Sequence, residues 1–208
     1  MKIDSDLIMR WTNDFTNVFY NFVVKNFYFL LSNLVLVIYL IVFDLTINNL
    51  LFYTLPIFLH INSYSIQFNL IENNNYEWKD YWITLKKSLK KHWQTYLVMT
   101  LLLQGLILNI ALVIDIRELN FILIPLLITG AFMVNSFYYY MNYYMEQSEK
   151  SLRNSITSSL ILSYGRISAF LKNTLVLVVS LLLAFFISPI IVLFFGDLIT
   201  RFILKNIE

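Results

Sequence analysis

The chain has 208 residues, no cysteine, 15 Lys and Arg against 13 Asp and Glu, and a formal net charge of +2. Hydrophobic residues make up 59% and charged residues 13%, where a soluble domain carries roughly a quarter charged. This excludes disulfides, thiolate metal sites and cysteine nucleophiles, gives no basis for nucleic-acid binding, and leaves too little charge to cover a water-facing surface.

A helix needs about 20 apolar residues to cross a bilayer core. Five segments qualify in chain order: 18–43, 50–71, 96–114, 121–141 and 174–195. They predict an all-α, polytopic integral membrane bundle of about five transmembrane helices, with residues 1–208 forming one membrane domain. The first 16 residues hold Asp4, Asp6 and Asp14, and no small-residue cleavage site follows, so no cleavable signal peptide is expected. Trp11, Phe15, Phe19 and Phe22 then form one aromatic stripe leading into the first span. The second span carries Pro56, His60, Asn62, Ser63, Gln67 and Asn69. Its later half is polar nearly all round and is expected to be enclosed by protein or to emerge early into the headgroups.

Residues 77–93 read as an amphipathic helix. Trp78, Tyr81, Trp82, Leu85, Leu89 and Trp93 share one side, and Lys79, Lys86, Lys87, Lys90 and Lys91 the other. Such a helix suits an anionic cytoplasmic leaflet, with its apolar face among the acyl chains, or a cytoplasmic partner. A second surface helix is expected over 146–168, with Leu152, Ile156, Leu160 and Tyr164 as its apolar stripe. The fifth span contains Pro189, and the tail from Gly196 is too short for another crossing, so it is expected at the interface.

Lys and Arg favour the cytoplasmic side. Twelve of the 15 fall in the N-terminal segment and the two long loops, and Arg117, Arg201 and Lys205 fall on the other side. All four Trp accompany the twelve. The expected protein is therefore a bacterial cytoplasmic-membrane protein with its N-terminus inside and its C-terminus outside.

No phosphate loop, hydrolase or redox motif occurs, so no enzymatic activity and no cofactor are expected. Two separated His and no Cys give no metal site. Asp80 and His92 lie about 18 Å apart along one helix, too far to act as acid and base. The candidate intramembrane polar path is His60, Ser63, Gln67, Gln104 and Asn135. It reads either as a ligand path or as interhelical hydrogen bonding, with His60 and its neighbours reaching Gln104 or Asn135. The candidate docking or lipid-surface face is Trp78, Trp82, Lys86, Lys87, Lys90, Lys91 and Trp93.

The entry to the first span, Lys25-Asn26-Phe27-Tyr28-Phe29-Leu30, carries a family resemblance. So does the loop Lys79-Asp80-Tyr81-Trp82 with Leu85-Lys86-Lys87 and Lys90-Lys91-His92-Trp93. With the whole-chain layout, it resembles the YesL-like family of bacterial integral membrane proteins, whose biochemical function is unassigned. Family members often have small residues in the second span, where this chain keeps only Thr54-Leu55-Pro56. The resemblance implies a setting beside carbohydrate uptake systems and transfers no catalytic residue. The expected function is a non-enzymatic accessory subunit of an ABC-type carbohydrate transporter, and the alternative is a small homo-oligomeric permease.

Overall fold

The computed structural model describes residues 5–43, 46–73, 77–144 and 152–207. The side chain of Trp11 and residues 146–151 of the second expected surface helix lie outside the described residues. Every element among the described residues is helical: α1 (Ser5–Ser32), α2 (Leu34–Val42), α3 (Thr54–Asn73), α4 (Trp78–Asp115), α5 (Leu123–Tyr139), α6 (Leu152–Gly165), α7 (Ile167–Phe186), α8 (Pro189–Phe194) and α9 (Gly196–Ile207). Two 3₁₀ stretches, Ile47–Tyr53 and Arg117–Ile122, lead into α3 and α5, and one π turn, Tyr140–Tyr144, ends α5.

Among the described residues, three helical stretches are long and apolar enough to cross a membrane: α4, Leu123–Tyr143 and α7. The bent pair Phe15–Ser32 and Leu34–Val42 adds a fourth if counted as one broken span. Helix α3 is not among them, so the structure has fewer such helices than the five expected. Its polar side chains explain this, and its setting explains why they are tolerated. Ile61, Asn62, Ser63, Ser65, Ile66, Gln67, Phe68 and Leu70 are all 4% exposed or less. The helix is wrapped by α1, α2, α4 and α9. Polar groups at membrane depth survive when enclosed by protein.

The first expected span is not one rod. It bends by 61° at Asn33. There Ser32 Oγ and Asn33 Nδ2 both donate to the Phe29 carbonyl, at 2.8 and 2.7 Å. Side chains that take a helix's own acceptors weaken its backbone ladder.

Residues 77–93 and 96–114 are not two helices but one, the 38-residue α4. At 1.5 Å per residue it is about 57 Å long, nearly twice the ~30 Å hydrocarbon core. It forms an antiparallel hairpin with α3. Gln104 Nε2 donates to the Leu50 carbonyl and Thr54 Oγ1, both at 2.9 Å, and Ser65 Oγ bonds Tyr96 Oη at 2.8 Å. Helix α5 returns along α4, with Gly130 close against Leu106 and Thr95 Oγ1 bonded to Tyr140 Oη.

Helix α6 packs on α5, and Tyr164 of the expected stripe stacks on Phe132 of α5 with centroids 4.3 Å apart. Ser155, Ser159 and Ser163, outside that stripe, are buried. Small side chains one turn apart let two backbones approach. Phe132 also stacks on Phe170, with centroids 3.9 Å apart.

The fifth span lies earlier than 174–195. Helix α7 stops at Phe186, and Pro189 opens α8 at its first turn. Proline fits there because no intrahelical N–H is needed. Ser188 caps the new helix, accepting from the Ile190 amide at 3.2 Å. Helices α8 and α9 then run back along α7. Asn206 Nδ2 donates to Asn173 Oδ1 at 2.9 Å, and the Ile207 carbonyl accepts from Tyr143 Oη at 3.2 Å and from Arg166 Nη1. The chain therefore ends beside the start of α7.

The tail is also part of the core. Ile203 and Ile207 are fully buried beside Tyr96, Met99 and Tyr139. At its other end, the Asp197 amide donates to Asn26 Oδ1 at 3.0 Å.

Candidate functional site

Of the five residues of the candidate intramembrane path, three bond to another element and two within their own helix. His60 and Gln67 face α1. His60 Nδ1 lies 2.7 Å from Asn33 Oδ1. Because Asn33 Nδ2 donates to the Phe29 carbonyl, its oxygen is turned toward the ring, so His60 Nδ1 carries the proton and donates. The ring meets Tyr64 edge-on at 4.9 Å and Phe29 at 6.0 Å. Gln67 Nε2 reaches the Lys25 carbonyl at 3.4 Å. Ser63 Oγ donates to Leu59 of its own helix at 2.8 Å. Gln104 joins α4 to Thr54 and Leu50, and Asn135 Nδ2 donates to Ala131 within α5 at 3.0 Å. The interhelical partner of His60 is thus Asn33, not Gln104 or Asn135. Sequence pattern missed Asn33 in that role because the register between α1 and α3 is set by the bend.

One cavity of about 230 Å³ touches this network. His60, Tyr64, Tyr138, Leu177, Ser180 and Val192 are among its walls. Of the five path residues, only His60 reaches it. Replacing either partner of the His60–Asn33 pair by Leu leaves the other buried polar group unmatched. A double-mutant cycle of Asn33→Leu and His60→Leu, read from unfolding in detergent micelles, is expected to give a coupling of about 0.5–2 kcal/mol. A coupling near zero would show that the two side chains contribute independently.

The candidate docking face divides differently from its sequence pattern. Tyr81 is fully buried, packed with Ile66, Leu70, Tyr28, Trp82 and Leu85. Its hydroxyl donates to Ser32 Oγ at 2.8 Å. Trp78 sits edge-on to Tyr28 and Trp82, at 5.2 and 5.4 Å. Part of the apolar side of this stretch, Tyr81 and Trp82 with Leu85, is therefore engaged by α1 and α3. Lys79, Lys86, Lys87, Lys90 and Lys91 are exposed, with Trp78 and Trp93 half-exposed beside them. What the helix offers outward is a basic ridge with an aromatic residue near each end.

Among the described residues, no group of three or more His, Cys, Asp or Glu is placed to hold a metal. No protein-family model, no curated protein and no solved structure matches this chain. The site's own chemistry is what remains to argue from.

Proposed function

We propose that this chain is a non-enzymatic membrane protein that docks on a cytoplasmic partner through the basic ridge of α4, as an accessory subunit of an ABC-type carbohydrate transporter. The observation that carries the docking element is the continuity of α4. A 38-residue helix braced by α1 and α3 lifts Lys86, Lys87, Lys90 and Lys91 beyond the hydrocarbon on a rigid support. A fixed row of Lys attracts an acidic surface and sets its orientation. The choice of partner class comes from the YesL-like resemblance, and the bacterial cytoplasmic membrane is the location that goes with it.

The reading has five crossings: the bent α1–α2 pair, α3 inside the bundle, α4, α5 and α7. Helices α8 and α9 turn back without a full crossing. Arg201 and Lys205 then join the twelve basic residues of the N-terminal side, leaving Arg117 alone opposite. The N-terminus, the ridge and the C-terminus are all cytoplasmic.

A small permease acting as a homo-oligomer is the second reading, and the His60 cavity is what favours it. The other path residues weigh against it, since Gln67 and Gln104 bond to neighbouring elements, Ser63 and Asn135 bond within their own helices, and none of the four lines the cavity.

Affinity purification in a mild detergent tests the docking proposal. The wild-type chain is expected to recover transporter permease and ATPase subunits. Lys86→Glu, Lys87→Glu, Lys90→Glu and Lys91→Glu combined are expected to reduce that recovery about tenfold or more, since several charge contacts reverse sign. These Lys are solvent-facing, so the fold is unaffected. Wild-type protein recovered alone, with transporter subunits present in the same membranes, overturns the proposal.

A further inference from the structure

Helices α8 and α9 do not close fully on α7. A cleft of about 450 Å³ runs between them. Its walls come from α7 (Leu175, Val179, Leu183), α8 (Ile191) and α9 (Leu198, Phe202). Ser180 is the one hydroxyl at the wall, and it already donates to the Val176 carbonyl at 2.8 Å. The cleft offers no hydrogen bond to a polar ligand. It lies on a helix whose other faces, at Leu171, Leu182, Phe185 and Phe186, are exposed and apolar. It is therefore open sideways to lipid, not to water.

One end of the cleft is charged. Lys172 stands one turn before Leu175 on the same stripe of α7, and Lys205 one turn after Phe202 on the same stripe of α9. The Asn206–Asn173 hydrogen bond places those two helix ends side by side. Both Lys are exposed. At the cleft's inner side, Ser180 and Val192 also border the His60 cavity, so the apolar trough continues into the bundle. A long apolar slot of this size with a paired cationic mouth fits an amphiphile with an anionic head.

We infer that the cleft between α7 and the α8–α9 arm binds one acyl chain of an anionic phospholipid, whose phosphate is held by Lys172 and Lys205. The lipid comes from the leaflet that carries most of the chain's Lys and Arg, the one in which anionic headgroups concentrate. Neither Lys belongs to the α4 ridge, so the site is independent of the docking proposal. The bound chain covers the apolar sides of α7 and α9 that the protein leaves open.

Native mass spectrometry of the detergent-purified chain, titrated with dioleoyl phosphatidylglycerol, dioleoyl phosphatidylcholine or oleic acid, tests this. The wild type is expected to retain one phosphatidylglycerol in preference to the other two. Lys172→Gln with Lys205→Gln is expected to weaken phosphatidylglycerol binding about tenfold or more and to leave phosphatidylcholine unchanged. Val179→Trp, which fills the trough from a half-exposed position, is expected to abolish retention of both lipids. Phosphatidylglycerol held equally well by the Lys172→Gln, Lys205→Gln pair overturns the headgroup assignment, and because both positions are exposed this variant folds. Equal retention by Val179→Trp overturns the cleft, and oleic acid bound as tightly as phosphatidylglycerol overturns the phospholipid.

Discussion

Single cysteines at Lys87 and Lys205 are expected to react with a membrane-impermeant maleimide from the same side of a sealed vesicle, and one at Glu118 only from the other. The chain has no native cysteine, so each variant reports one position. The expectation rests on the closing contacts of α9. Arg166 and Tyr143 both donate to the Ile207 carbonyl, and Asn173 accepts from Asn206. Those contacts require the last turn to lie at the level where α7 begins. Glu118 lies in the 3₁₀ stretch between α4 and α5, at the far end of their hairpin. The effect is all or none, because a maleimide that cannot cross labels one face fully and the other not at all. Labelling of positions 118 and 205 from one side would place the tail where the charge count alone put it.

That contrast marks where the sequence was legible. The helical class, the apolar helices long enough to cross a membrane and the position of α5 follow from apolar runs, because lipid leaves the backbone no alternative to helices. The enclosure of α3 also follows, since Asn62, Ser63, Ser65 and Gln67 on one helix have no tolerable lipid-facing arrangement. The junctions did not follow. Lys-rich and apolar halves of α4 read as separate elements by composition, yet nothing between Trp93 and Tyr96 breaks a helix, and the backbone continues through. Ser188-Pro189 was visible, but a proline inside an apolar run bends a span or starts a new helix equally well until the cap is seen. Length says that the tail cannot cross but not where it packs. Twelve residues cannot cross, but they can return along a neighbour when a preceding short helix has already begun the descent.

The same limit holds for the site. Helical spacing puts Pro56, His60, Ser63 and Gln67 on one face of α3, but does not say what meets it. Contacts between elements distant in sequence, such as His60 with Asn33, depend on the 61° bend at Asn33, which no periodicity encodes. On α6 the larger residues drew attention and the buried Ser155, Ser159 and Ser163 did not, because serine is no signal of burial in water but permits close helix contact in a membrane protein.

Gly196→Ala is expected to destabilise the protein by about 1–3 kcal/mol or more, through one contact. Gly196 opens α9 directly beneath Phe29, and a Cβ there would overlap atoms Cδ1 and Cε1 of that ring. Phe29 has no room to withdraw. It is fully buried, packed with Val37 and Leu193, and held edge-on to Tyr64 at 5.1 Å. The added methyl therefore has to push α9 away from α1, and the Asp197–Asn26 hydrogen bond lies in the adjacent residue. The damage spreads along the helix to Ile203 and Ile207, which fill the main core beside Tyr96 and Tyr139. Shrinking the ring separates this mechanism from a simple change in helix propensity, since Ala is the better helix former and by propensity alone would stabilise. In a Phe29→Leu background the Gly196→Ala penalty is expected to fall by more than half, measured as thermal unfolding in detergent. An unchanged penalty in that background would mean that the glycine is needed for backbone reasons and that the close approach of α9 to α1 is not what anchors the returning arm.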